Sequence, residues 1–167
     1  MAGVPAHEAI RNLLGRYCEL VDAGDLDGVA ALFTDAVLRD EAGTEVARGH
    51  DGAARLYAGT RRHADGTPRT RHVTANPIID VDEDAGTATA RSAYVVFQAT
   101  DALALQPIIS GRYRDRFARV DGDWSFRERT FTVDLVGDLS EHLTFDPSPR
   151  ATGSGPTSSG ATAPPVG

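Results

Sequence analysis

The feature that most restricts the fold of this chain is a change of hydrophobic period near Thr70. Before it, apolar residues recur every three to four positions; after it, they alternate through long runs broken by short reversal sequences. The runs are RTRHVTANPIIDVDE (69–83), TATARSAYVVFQAT (87–100), QPIISGRYRDRFARV (106–120) and WSFRERTFTVDLV (124–136), with EDAG and VDGDW among the connections. Consecutive long strands joined by tight turns predict an antiparallel sheet. Helices first and strands afterwards predict an α+β domain in which a curved sheet wraps around the helices.

The helical part is centred on residues 10–33, IRNLLGRYCELVDAGDLDGVAALF. Ile10, Leu13, Leu14, Tyr17, Leu20 and Val21 form one apolar face, so Tyr17 points inward. Gly24 supplies a left-handed helix end, and Asp25 caps a second helix whose stripe is Leu26, Val29, Ala30, Leu32 and Phe33. Asp22 is out of place: a carboxylate in the last turn faces the negative end of the helix dipole, at a cost of roughly 0.3–1 kcal/mol. Its partner is therefore to be sought elsewhere in the chain. AVLRD (36–40) and TEVAR (44–48) read as a hairpin, with Asp40 ending its first run. A third helix follows over GHDGAARLYAG, and Tyr57 lies on its apolar side.

Composition removes several function classes. The net charge of −7 argues against a nucleic-acid partner, which needs a positive face. All 17 cationic residues are arginine, so a chain without lysine has neither a Schiff-base nucleophile nor a P-loop lysine. The one cysteine, Cys18, falls in a helical pattern, where it offers no intramolecular disulfide and no cysteine-based metal site. The first residues lack a secretory pattern and no apolar run is long enough to span a bilayer, which predicts a soluble cytoplasmic protein with no membrane partner. Length and patterning predict one domain over 1–145, and the Pro-, Gly-, Ser- and Thr-rich stretch 146–167 predicts a disordered tail.

The candidate chemistry starts with the five histidines, no two of which share a face at metal-ligand spacing; no metal or other cofactor is expected. His72 stands out inside a strand, where alternation sets it with Thr74 and Asn76 on one face, a polar row able to line a wet cavity. On the last strand, alternation puts Trp124, Phe126 and Glu128 on one face and Arg127, Arg129, Phe131 and Val133 on the other. An arginine pointing into the cavity could hold a developing anion. Arg112, Arg114 and Arg116 alternate on the preceding strand and read as a solvated stripe. An oligomer is expected through the outer face of the long strands, with Tyr94 and Val96 among its apolar residues.

The succession RYCELVDAGDLDGVAALFTD, RHVTANPIIDVDED and GRYRDRFARVDGDWSFRER, in α-then-β order, resembles SnoaL-like proteins of the nuclear transport factor 2-like superfamily over about residues 6–143. The resemblance implies a cone-shaped α+β barrel, three helices packed on a curved sheet with a pocket between them. Within the superfamily the pattern is most similar to the scytalone dehydratase, bile acid 7α-dehydratase and hexachlorocyclohexane dehydrochlorinase group. Those enzymes carry an aspartate at the end of the first helix and a histidine early in the first long strand, positions matched by Asp22 and His72. Tyr17 matches the tyrosine five residues before the aspartate in the bile acid enzyme, and Arg129 the dehydrochlorinase arginine after the last-strand tryptophan. The second histidine of scytalone dehydratase has no equivalent in RSAYVVFQ.

The resemblance implies a cofactor-independent lyase of the dehydratase type acting on a hydrophobic, hydroxylated cyclic small molecule. His72, Asp22, Tyr17 and Arg129 would be its catalytic residues, and Asn76, Asp40, Tyr57 and Tyr113 its substrate contacts. Dyad-bearing relatives are commonly trimers. A second reading makes Asp40 the base of a ketosteroid-isomerase-like enzyme, a dimer type, with Tyr17 as oxyanion donor and Tyr113 where that enzyme has a protonated aspartate. A third is a non-catalytic binding or assembly module, like the small subunits of ring-hydroxylating oxygenases.

Overall fold

The structure, a computed structural model, describes residues 4–144; the tail expected over 146–167 lies outside the described residues. Helix α1 (Ala6–Ala23) buries Ile10, Leu14, Tyr17 and Val21 along one side. It ends at Gly24 with φ +74°, where a side chain would also collide with the carbonyl of Gly66. Asp25 accepts a hydrogen bond from the Gly28 amide at 2.9 Å and so starts α2 (Leu26–Leu32). Strands β1 (Val37–Arg39) and β2 (Glu45–Arg48) form the short hairpin, and α3 (Gly49–Tyr57) follows. The four long strands are β3 (Thr70–Asp82), β4 (Thr87–Gln98), β5 (Gln106–Val120) and β6 (Asp123–Val136).

These strands make one curved, unclosed six-stranded sheet in the order β2-β1-β6-β5-β4-β3. The long strands pair antiparallel as expected, but β1 lies parallel to β6, with Leu38 opposite Arg129. That parallel pair docks the helical half onto the sheet edge. The helices fill the concave side, α1 against β3 and α2 against α3. Tight aromatic packing around Phe33, Phe117 and Phe126, with Phe126 5.0 Å from Phe33 and 4.8 Å from Phe117 between ring centres, closes one end of the core. Each of these rings is at most 2% exposed, burial that contributes roughly 1.5–3 kcal/mol per side chain.

Two bulges decide which side chains look inward. On β6, Glu128 pairs with Arg116 but Phe126 already pairs with Phe117, so Arg127 is an extra residue. One extra residue reverses the parity of everything beyond it. Arg129 therefore shares the buried face with Trp124 and Phe126 rather than opposing them as strict alternation predicts. On β3 the register slips between Ala75 and Ile78, where Asn76 takes φ +52°. Arg112, Arg114 and Arg116 do face outward, while Tyr113, Asp115 and Phe117 between them are buried. Tyr94 and Val96, expected on the outer face, are turned inward at 5% and 2% exposure. Among the described residues no helix is long and apolar enough to cross a membrane.

Candidate active site

The misplaced carboxylate of Asp22 has its partners on β3. The Thr70 hydroxyl donates to Oδ1 at 2.8 Å, and the His72 amide donates to Oδ2 at 2.9 Å and Oδ1 at 3.1 Å. His72 Nδ1 lies 2.6 Å from the same Oδ1. Both side chains are 7% exposed. A carboxylate only accepts, so Nδ1 carries the proton and the lone pair is left on Nε2. Burial pushes the Asp22 carboxyl up, but the hydrogen bonds from His72 and Thr70 outweigh it and hold the group below the usual carboxylate range.

The His72 ring borders a cavity of about 220 Å³ between the helices and the sheet. All four tyrosines of the chain line it: Tyr17, Tyr57, Tyr94 and Tyr113. Tyr57 donates its hydroxyl to that of Tyr17 at 3.2 Å, which leaves the Tyr17 proton available to a ligand. Burial pushes the Tyr57 and Tyr113 hydroxyls well up, so both remain protonated donors. Tyr94 stacks on Tyr113 at 4.3 Å and donates to the Thr132 carbonyl.

Arg129 lies behind these rings, its guanidinium carbon 4.3 Å from the Tyr17 ring centre and 4.1 Å from that of Tyr113. Nε and Nη2 donate to the two oxygens of Asp115 at 2.7 and 2.9 Å, and the third nitrogen, Nη1, is buried without a hydrogen-bond partner. Burial alone would lower the arginine pKa; the Asp115 carboxylate reverses that and raises it, so the cation is permanent. A base, two hydroxyl donors and a fixed cation thus surround one small apolar cavity. Among the described residues no group of three or more His, Cys, Asp or Glu side chains is placed to hold a metal ion.

The structure brings together six of the eight residues singled out from sequence: Tyr17, Tyr57, His72, Tyr113 and Arg129 line the cavity, and Asp22 supports His72 from behind. The other two sit elsewhere. Asn76 is exposed because the β3 bulge takes it off the row of His72 and Thr74. Asp40 is a turn residue, accepting the Thr44 amide at 2.8 Å with its side chain and the Gly43 amide at 3.0 Å with its carbonyl, and it does not line the cavity. A wider groove of about 610 Å³, lined by Asp80, Arg116, Arg127 and Glu128 among others, contains none of the eight.

Sequence reasoning missed Asp115, Tyr94 and His142. Alternation within YRDRF places Asp115 on the same face as Tyr113 and Phe117, an acid on an apolar row that signals a buried cation nearby. His142 has no such local signal. It joins the cavity wall because the segment after β6 returns to the helices, where Leu143 bridges Thr60.

Comparison with known proteins agrees with this fold. The model of the SnoaL-like domain family matches residues 3–130. Among solved structures, Rv3472 of Mycobacterium tuberculosis, a protein of unknown function, is 28% identical with a TM-score of 0.62, over 81% of this chain and 79% of that one. A candidate scytalone dehydratase from Novosphingobium aromaticivorans is 25% identical with a TM-score of 0.63, over 79% of this chain and 86% of its own. The β subunit of a candidate aromatic-ring-hydroxylating dioxygenase from the same organism shares the fold at 22% identity and a TM-score of 0.64, over 79% and 91% of the two chains. No curated protein matches the chain in sequence. With the family model covering most of its length and the six-stranded sheet cupping three helices, the chain belongs to the SnoaL-like domain family.

Proposed function

We propose that the protein is a cofactor-independent dehydratase acting on a small hydroxylated cyclic ketone. The observation that carries this reading is the 2.6 Å contact from Asp22 Oδ1 to His72 Nδ1 beside the tyrosine-lined cavity, which leaves Nε2 as the basic nitrogen. Nε2 takes the proton from the carbon next to the substrate carbonyl, and the Asp22 charge stabilises the resulting imidazolium. The enolate oxygen is held by the Tyr17 hydroxyl and the Arg129 cation. The C–O bond to the β-hydroxyl then breaks, the imidazolium returns its proton to the departing oxygen, and the products are an enone and water. Tyr57 and Tyr113 bound the ring system of the substrate.

The turn-capping role of Asp40 speaks against the isomerase reading, which needs that carboxylate in the cavity. The fold is also that of the dioxygenase β subunit, so a non-catalytic role is the reading to be tested against. The assembly we propose is a homo-oligomer, trimer or dimer, using the outer face of the sheet, where Val73, Ile78 and Leu135 are 42%, 54% and 70% exposed. Incubation with β-hydroxy ketones such as 3-hydroxy-1-tetralone, followed by mass spectrometry, should show loss of water that stops in His72→Ala. Binding without turnover, or turnover indifferent to His72→Ala and Asp22→Asn, would overturn the dehydratase reading.

A further inference from the structure

The dyad mechanism leaves His142 unused. The chain around it is pinned from three directions. The Glu141 carbonyl accepts from Gln98 Nε2 at 2.9 Å and from His63 Nε2 at 3.3 Å, while Gln98 Nε2 also donates to the Pro68 carbonyl. The His142 carbonyl accepts the Arg61 amide at 2.8 Å, the His142 amide donates to the Leu139 carbonyl at 3.0 Å, and Leu143 bridges Thr60. This strap presents to the cavity an imidazole that is 9% exposed, with Nδ1 buried and lacking a hydrogen-bond partner.

Packing does not account for that ring. A leucine or phenylalanine would close the same wall without burying an unpaired polar atom, which folded proteins avoid. Among the described residues four buried side-chain polar atoms lack a partner, and two of them, His142 Nδ1 and Arg129 Nη1, belong to residues lining this one cavity. Burial, reinforced by the neighbouring His72, pushes the His142 pKa down to about 4. At neutral pH the ring is then uncharged, with one donor and one acceptor, the complement of a hydroxyl group. An enolate oxygen calls instead for the cation and phenol at Arg129 and Tyr17. The hydroxyl that receives a proton from His72 must lie beside His72, and His142 lines the same cavity.

We propose that His142 is a substrate-contacting residue that hydrogen-bonds the departing hydroxyl, so that the pocket recognises ketones bearing that hydroxyl over their deoxy counterparts. The inference rests on the dehydratase reading. Its test compares 3-hydroxy-1-tetralone with 1-tetralone, binding being followed by NMR titration in the His72→Ala protein, where turnover is stopped, and turnover being followed separately in the wild type. The hydroxylated compound should bind about fivefold more tightly, the worth of one neutral hydrogen bond. Adding His142→Phe should abolish that preference, read as the ratio of the two affinities in the same variant, and His142→Gln should restore part of it; His142→Leu carries the same comparison if the phenylalanine variant does not fold. A preference that survives the apolar substitution overturns the role of His142 while wild-type turnover leaves the dehydratase reading standing. Absence of both binding and turnover in the unsubstituted pocket would overturn the two together.

Discussion

Asp22 and Asp115 are both buried carboxylates with a nitrogen partner at 2.6 and 2.7 Å, and the two pairs are built differently. Asp115 stands directly opposite Arg129 in the β5–β6 ladder, so the register of two adjacent strands makes the pair, and both side chains are at most 1% exposed. Asp22 reaches from the end of α1 to a strand 50 residues away. In the first pair the acid uses both oxygens on the fork of the guanidinium and fixes a charge that cannot titrate. In the second the acid holds one nitrogen of an imidazole and leaves the other for chemistry. The same residue type thus serves structure and electrostatics at one site and, on the proposed reading, orients a general base at the other.

The comparison is sharpest in kinetics. Asp22→Asn and His72→Ala should each lower kcat by about 10³–10⁴-fold, with the double variant little worse than either, measured on the β-hydroxy ketone that the wild type turns over. Additive losses would mean that the two residues do not act as a unit. Next in size, Asp115→Ala should cost about 3–5 kcal/mol of folding stability, because Arg129 is left buried and uncompensated, and should lower Tm by roughly 10 °C or more. A melting point within a degree or two of wild type would show that the pair is structurally dispensable.

The strap gives an effect of intermediate size. His142 has a folded pKa near 4 against an ordinary value of 6.5, so the unfolded chain binds the proton first and stability falls as pH drops from 6.5 toward 4. Urea titrations should show this slope reduced in His142→Gln, by about 2 kcal/mol across the window. Asp22 has the opposite sign. Its folded pKa is depressed, so its stabilising contribution is present above 3.8 and is lost as pH falls below that value. Asp22→Asn should cost about 1–2 kcal/mol at neutral pH, the reverse of the small gain expected from relieving the helix dipole alone, because hydrogen bonds from Thr70 and His72 are weakened. The smallest effect belongs to Asp40→Asn: less than about twofold in kcat and about 0.5 kcal/mol in stability, since an amide oxygen still accepts from Thr44. A severe kinetic defect there would revive the isomerase reading.

Much of the molecule is legible in its sequence. The span of β5, Gln106–Val120, coincides with the alternating run, α1 ends at Gly24 as its capping chemistry requires, and the oddity of Asp22 pointed to a distant partner. These are local properties: period, turn residues and dipole ends act within a few residues of one another. The inward turn of Arg129 was not readable, because it hangs on one extra residue, Arg127, and an isolated strand carries no mark of the register its partner will impose. Asn76 was lost from the His72 row for the same reason. His142 reaches the cavity through contacts with Thr60, Arg61 and Gln98, at separations over which no periodic trace survives. The sequence by itself determined the elements and the candidate acid–base residues carried on them. Only the tertiary structure decided which side chains share the cavity, since bulges, sheet order and the returning strap arise from pairing between distant segments.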